Sequence, residues 1–174
     1  SFGYDPVGNR LSQTTTLVPM AQAEFLVFVE ETVPAYAADK VACGQWREAE
    51  ALALSRKELA ELLPQGLATP GHHLYTLHDA ASGDAVGRLW IAEQQRAGSL
   101  VAYVYDIAIA PAHRRKGHAM RAFEALEAEA RALGFEGIAL HVFGHNRGAQ
   151  ALYEKLGYQP TNIHMFKDIA AAKP

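Results

Sequence analysis

The feature that most constrains this chain lies between residues 100 and 134, where a strand is followed by a basic glycine loop and an amphipathic helix. Leu100 to Ala110 is almost continuous in apolar, aromatic and β-branched residues, which predicts a strand buried on both faces. Such a strand needs a layer packed above it and another below. Pro111 ends it, and His113-Arg-Arg-Lys-Gly117 forms a short basic loop. Met120, Phe123, Leu126, Ala130 and Leu133 then recur at helical spacing, with Arg121, Glu124, Glu127, Glu129 and Arg131 between them. Gly134 stops the helix, the usual place for a glycine that can turn left-handed. The one charge within the strand, Asp106, calls for a partner or a chemical role.

The remaining segments are consistent with that unit. Thr14 to Val18 is β-branched and predicts a short first strand ending at Pro19. Phe25, Leu26, Phe28 and Val29 predict a helix from Ala21 to about Val33, which Pro34 should kink or interrupt. A second helix is expected over Gln45–Leu63, with Leu52, Leu54, Leu59, Leu62 and Leu63 apolar. Pro64, Gly66, Pro70 and Gly71 mark a loop. Leu74–His78 and Ala85–Ala92 flank Ser82-Gly-Asp84 and read as a hairpin. Gly137–Phe143 predicts a strand and Arg147–Leu156 a helix stopped by Gly157; Tyr158–Gln159 with Ile163–Lys167 can supply a last hairpin. Strands alternating with helices, with hairpins at both ends, imply an α/β layer around a mixed sheet.

Composition narrows the class further. Hydrophobic residues at 49% and charged residues at 20% suit one globular domain at a length of 174 residues. We expect that domain over residues 15–170. A net charge of −3 supplies no field to hold nucleic acid or an anionic membrane. Cys43 is the only cysteine, so no disulfide framework or cysteine zinc site can form, and a cytoplasmic location is expected. The eight histidines are scattered, without metal-ligand spacing, and no metal is expected. Residues 1–14 are rich in turn formers and read as a loose leader; Phe2 to Leu11 is similar to a YD repeat of Rhs-type shell proteins, which implies a remnant of a fusion.

The basic loop carries the chemistry. A glycine at a helix start lets backbone N–H groups approach a ligand, and the positive end of the helix dipole favours phosphate there. Arg114, Arg115 and Lys116 add positive charge, so the segment reads as an anion site suited to a pyrophosphate; the other reading is a solvated basic loop. Neither Gly-x-x-x-x-Gly-Lys-Ser/Thr nor Gly-x-Gly-x-x-Gly is present, which disfavours a nucleotide hydrolase or a nicotinamide enzyme.

Ile107-Ala-Ile-Ala-Pro-Ala-His-Arg-Arg-Lys-Gly-His-Ala119 resembles the acetyl-CoA signature of the GNAT superfamily, Gln/Arg-x-x-Gly-x-Gly/Ala after a strand ending in proline. Further on, Asn146-Arg-Gly-Ala149-Gln-Ala-Leu152-Tyr153-Glu-Lys-Leu-Gly157-Tyr158 resembles its second signature, Asn-x-x-Ala-x-x-Leu-Tyr-x-Lys-x-Gly-Phe/Tyr. The resemblance covers roughly residues 85–168. It implies a GNAT-like α/β fold: a mixed, mostly antiparallel sheet with helices on both faces and a splayed strand pair for acetyl-CoA.

By the same resemblance, backbone amides around Arg115, Lys116, Gly117, His118 and Ala119 hold the coenzyme A pyrophosphate, next to Arg114. The strand at Ile107, Ala108 and Ile109 pairs with the pantetheine arm, Asn146 hydrogen-bonds that arm, and Ala149 is a further cofactor-binding residue. Tyr153 stands near the sulfur as proton donor to the departing thiolate; packing on its own helix is the alternative. Some members use a strand glutamate as base, and Tyr103 occupies that position here. Asp106 is the nearest carboxylate, able to take a proton if burial raises its pKa, or else to pair with a cation or hold a strand distortion. Glu93 is a weaker candidate.

The implied activity is N-acetylation of a primary amine, on a small molecule or protein, with a homodimer as one assembly. A non-catalytic acyl-CoA-binding module and an Rhs-linked acyltransferase toxin are the alternatives. The acceptor wall is expected from residues 20–75.

Overall fold

A computed structural model of the chain describes residues 14–170. Five strands form one sheet in the order β1-β2-β3-β4-β5: β1 Thr15–Pro19, β2 His72–Asp79, β3 Ala85–Arg96, β4 Ser99–Ile109 and β5 Gly137–Leu140. The first four are antiparallel neighbours, and β4 and β5 run parallel. The helices are α1 Gln22–Ala42, α2 Glu48–Leu62, α3 His118–Ala132 and α4 Arg147–Lys155. The expected leader lies outside the described residues, apart from Thr14.

Alternation along the central strands divides the core in two. Leu89, Ile91, Ala102 and Val104 pack with Phe123, Leu126 and Ala130 of α3, and Leu152, Tyr153 and Leu156 of α4 lean on the same cluster. Trp90 and Leu74 face the other way and meet Met20, Phe28 and Leu63, with Leu59 and Leu62 beside them. The sheet is therefore covered on both faces, as a strand like β4 requires. Gly87 lets the two central strands meet closely, since a Cβ there would fall within 2.3 Å of the Ala108 carbonyl oxygen.

Two expectations fail away from the cleft. Pro34 does not interrupt α1, which runs on to Ala42. An internal proline costs about 3 kcal/mol. Phe28, Thr32, Val33 and Ala37 are buried on this helix, and the small residues Ala51 and Ser55 are buried on α2. Each large apolar side chain buried contributes about 1.5–3 kcal/mol, enough to offset the lost hydrogen bond. Ser55 also donates its hydroxyl to the Val33 carbonyl at 2.7 Å, pinning the helices together beside the proline.

The last hairpin is absent among the described residues: after α4, residues 158–169 form neither helix nor strand. Ile163, Met165, Phe166 and Ile169 are exposed instead.

Candidate functional site

The β4–β5 ladder is short. It pairs Val101 to Val104 with Gly137 to Leu140 and then stops, although β4 continues to Ile109. The strand expected to reach Phe143 ends at Leu140, because residues 141–143 diverge from β4. A cleft of about 470 Å³ opens at that parting. Val104 to Ile107 line one side, Leu140 to Phe143 the other, and Asn146, Ala149 and Tyr153 of α4 close one end. α1 and α2 supply the opposite wall through Thr32 to Lys40 and Ser55 to Leu62, within the span expected for the acceptor.

A bulge in β4 aims the side chains at this gap. Trp90 stands opposite Asp106, but the next pair is Ile91 with Val104, which leaves Tyr105 as the extra residue. Tyr105 stacks on Trp90 at 4.6 Å and meets Tyr103 edge-on at 4.8 Å. With Tyr36 from α1 they give the cleft an aromatic lining. Burial raises the pKa of Tyr103 and Tyr105, and burial together with neighbouring Glu58 raises that of Tyr36. All three carry their protons at neutral pH.

Asp106 answers the question its sequence position posed. Its Oδ2 accepts from Arg88 Nε at 2.8 Å, and the same guanidinium reaches Glu31 of α1. Asp106 is 21% exposed and Arg88 17%. Burial pushes the carboxyl above its ordinary pKa, while the Arg88 charge and hydrogen bond pull it down without fully offsetting that. Sequence reasoning missed Arg88 and Glu31. Glu93 stands near His73 at 3.7 Å, away from the cleft.

The loop after β4 has the shape of an anion cradle. Arg115 has φ of 61° and Gly117 φ of 80°, both left-handed. For arginine that conformation is strained, and such outliers gather at ligand sites. The first bond into α3 joins the Arg121 N–H to the Gly117 carbonyl at 3.1 Å, so the first-turn amides of His118, Ala119 and Met120 have no partner within their own helix. Amides turned together in this way form an anion-binding concavity. Arg114 spends its Nε–H on the Ile109 carbonyl at 3.0 Å, which ties the loop to the end of β4.

His118 is divided between two tasks. The residue is 4% exposed; its ring meets the His113 ring edge-on at 6.2 Å, and its Nδ1 stands 3.1 Å from the Thr15 hydroxyl and 3.2 Å from Arg121 Nη2. Guanidinium only donates, so Nδ1 accepts and the ring is neutral with its proton on Nε2. Burial and the Arg121 charge lower its pKa, in keeping with that state. Only its backbone can serve a ligand.

Beyond the bulge, Leu89 to Gly87 pair with Ile107 to Ile109 on one side of β4. The Ala108 carbonyl points at Gly87, so strand alternation turns the backbone groups of Ile107 toward the open side. Asn146 caps α4, its Oδ1 accepting the Ala149 N–H at 3.1 Å. Tyr153 meets Phe123 at 5.4 Å and Tyr158 at 5.7 Å while still bordering the cleft. Burial, then the Asp106 charge, raises its pKa, so it too keeps its proton at neutral pH.

The family profile described as Acetyltransferase (GNAT) family matches residues 39–158. The chain is a GNAT acetyltransferase. It is 39% identical to the uncharacterized N-acetyltransferase YycN of Bacillus subtilis, over 90% of this chain and 99% of the relative. YdgE of the same organism, also described as an uncharacterized N-acetyltransferase, is 34% identical over 88% and 98%. The crystal structure of YycN superposes with a TM-score of 0.86 at 38% identity, covering 91% of this chain and all of that one. An acetyltransferase from Pyrococcus furiosus, at 22% identity and a TM-score of 0.62, shares the fold. The mixed, mostly antiparallel sheet with helices on both faces is thus that of a GNAT acetyltransferase. Among the described residues no helix is long and apolar enough to cross a membrane.

Proposed function

We propose that this acetyltransferase takes its acetyl group from acetyl-CoA and gives it to a primary amine of a small molecule or protein. The observation that carries this reading is the parting of β4 from β5, with the left-handed amide cluster at the far end of the same strand. The residues fit the donor: unpaired first-turn amides suit a pyrophosphate, and the open side of β4 at Ile107 suits an amide-bearing arm. Arg115, Lys116, Gly117, His118 and Ala119 are the proposed pyrophosphate residues, with Arg114, Ile107, Ala108, Ile109, Asn146 and Ala149 along the remainder. Bound there, acetyl-CoA supplies an activated thioester.

The protein's own work is then positioning and one proton. Holding amine and thioester together in the cleft replaces a bimolecular encounter. Tyr153, protonated at neutral pH, is the proposed donor to the departing thiolate, and the proton that the attacking amine loses passes through water to restore the tyrosine. Asp106 is read as the residue that fixes the bulge, because its carboxylate already holds Arg88. Calorimetry with acetyl-CoA, then thiol release across a panel of amines, tests the whole reading. Tight binding with no thiol release from any amine would leave a non-catalytic module.

Two further outcomes follow from these assignments. Replacing Arg114, Arg115 and Lys116 together by alanine should weaken coenzyme A binding more at low salt than at high salt, since exposed charges are screened within about 8 Å at physiological ionic strength. A salt-independent loss would point instead to direct buried hydrogen bonds. Asp106→Asn should lower stability by about 1–3 kcal/mol, because Arg88 keeps Glu31 but loses its less exposed partner. Turnover should stay within about tenfold of the parent; a fall of about a hundredfold in a folded variant would make Asp106 the base.

A further inference from the structure

Among the described residues, three carboxylates line the cleft, those of Asp39, Glu58 and Asp106, together with one ammonium, that of Lys40. Two of the three have partners that carry or can take a positive charge. Asp106 holds Arg88, and Asp39 meets His145 Nε2 at 3.1 Å. Lys40 is turned to Gln45, whose Oε1 accepts from its Nζ at 2.6 Å. Glu58 of α2 differs from both other carboxylates. Among the described residues no cation pairs with it, and its partner is the neutral hydroxyl of Tyr36, which donates to it. One hydroxyl leaves most of a carboxylate's acceptor capacity unused.

The surroundings of Glu58 suit an organic cation. Tyr36 lies within electrostatic reach of Tyr103 as well as of Glu58, which gathers the three on one part of the wall. Tyr103 meets Tyr105 edge-on, and Tyr105 stacks on Trp90, so the cleft beside the carboxylate is aromatic. Aromatic rings attract ammonium groups, and Tyr36 already does so, with the Lys40 ammonium 5.4 Å from its ring centre. Thr32 adds an independent sign of a ligand. It is 8% exposed and lines the same cleft, and its hydroxyl has no partner. A buried hydroxyl left unpaired is costly, and a polar ligand completes it.

A cation held at Glu58 is not the amine that reacts. Attack on a thioester needs a neutral amine, whereas a carboxylate beside an ammonium favours the charged form. The reacting amine belongs at the parting of β4 and β5, and Glu58 stands on the opposite wall.

We propose that the acceptor is a diamine or longer polyamine, whose distal ammonium is held by Glu58 and the rings of Tyr36 and Tyr103 while its other amine meets the thioester. The assignment rests on the acetyl-transfer reading above and adds to it the second charge of the acceptor.

Diaminobutane and butylamine, matched in length, differ only in that second charge. For the parent, kcat/KM should be at least about tenfold higher with diaminobutane, the gain expected of a charge-assisted hydrogen bond with a cation–π contact. Glu58→Gln keeps the side-chain shape and can still accept the Tyr36 hydroxyl, so its circular dichroism should match the parent's. It should lower the diaminobutane-to-butylamine ratio by about tenfold. A ratio that stays high in the variant overturns the site. So does an equal large fall for both amines, which would make Glu58 the base for the attacking amine. Calorimetry with coenzyme A bound reads the site without turnover: diaminobutane should bind the parent at least about tenfold more tightly than butylamine does, and Glu58→Gln should remove the difference. Thiol release with no preference for the diamine would overturn the site and leave acetyl transfer standing. Diamine binding that depends on Glu58, with no thiol released from any amine, would support the site and overturn acetyl transfer.

Discussion

Gly117→Glu should abolish acetyl-CoA binding in a chain that still folds. The glycine precedes the first residue of α3 with φ of 80°, and any side chain there begins 2.8 Å from Nη1 of Arg121. That neighbour is the far end of a flexible side chain and can move. The fold should therefore lose only the cost of a left-handed non-glycine residue, about 1–2 kcal/mol. The effect on the ligand is far larger. A carboxylate placed beside Arg121 can pair with it and occupy the space where the amides of His118 and Ala119 meet an anion, and its charge opposes the phosphate. Calorimetry should find affinity reduced at least about a hundredfold, which is about 2.7 kcal/mol. Gly117→Ala, with the same backbone strain and no charge, should lose much less. Unchanged affinity in a folded Gly117→Glu variant would remove the anion site from this loop.

Much of this loop was legible in the sequence because its signals are local. A proline ending a strand, three cations, a glycine and a helical apolar period occupy consecutive positions, and the structure keeps them in that order. What the sequence could not show depends on register. Arg88 stands opposite Ala108 and reaches Asp106 diagonally across the ladder, in the register set by the shift between Trp90 and Ile91, and Glu31 reaches the same guanidinium from another layer, 57 positions away. No periodicity encodes such a triad. Pro34 misleads for a related reason: the local rule is correct about the lost hydrogen bond, and packing against α2 overrides it. Tyr36 and Glu58 become part of one wall only when α1 and α2 pack on the sheet. The expected last hairpin shows the converse, a good strand pattern at Ile163–Lys167 that forms no ladder among the described residues.

Tyr153→Phe should separate holding the cofactor from finishing the reaction. Phenylalanine keeps the ring, so the edge contacts with Phe123 at 5.4 Å and Tyr158 at 5.7 Å survive, and α4 should stay seated on the core. Folding and acetyl-CoA affinity should therefore change little, since the proposed cofactor contacts lie mainly on backbone amides. The hydroxyl alone is lost. At neutral pH it is protonated, held so by burial and by the nearby charge of Asp106, which opposes a second negative charge on the phenolate. Both influences make Tyr153 a donor and a poor base, which suits the step that returns a proton to a departing thiolate. Positioned acid catalysis contributes typically about a hundredfold or more, so kcat should fall by about that factor while KM for acetyl-CoA moves little. Thiolates leave more readily than alkoxides, and water in an open cleft can compete with the phenol, which sets the lower bound of the effect. The assay must use an acceptor already shown to be good, so that chemistry limits the rate. Turnover within about twofold of the parent would reduce Tyr153 to the packing role that its ring contacts alone support, and the leaving group would then take its proton from water.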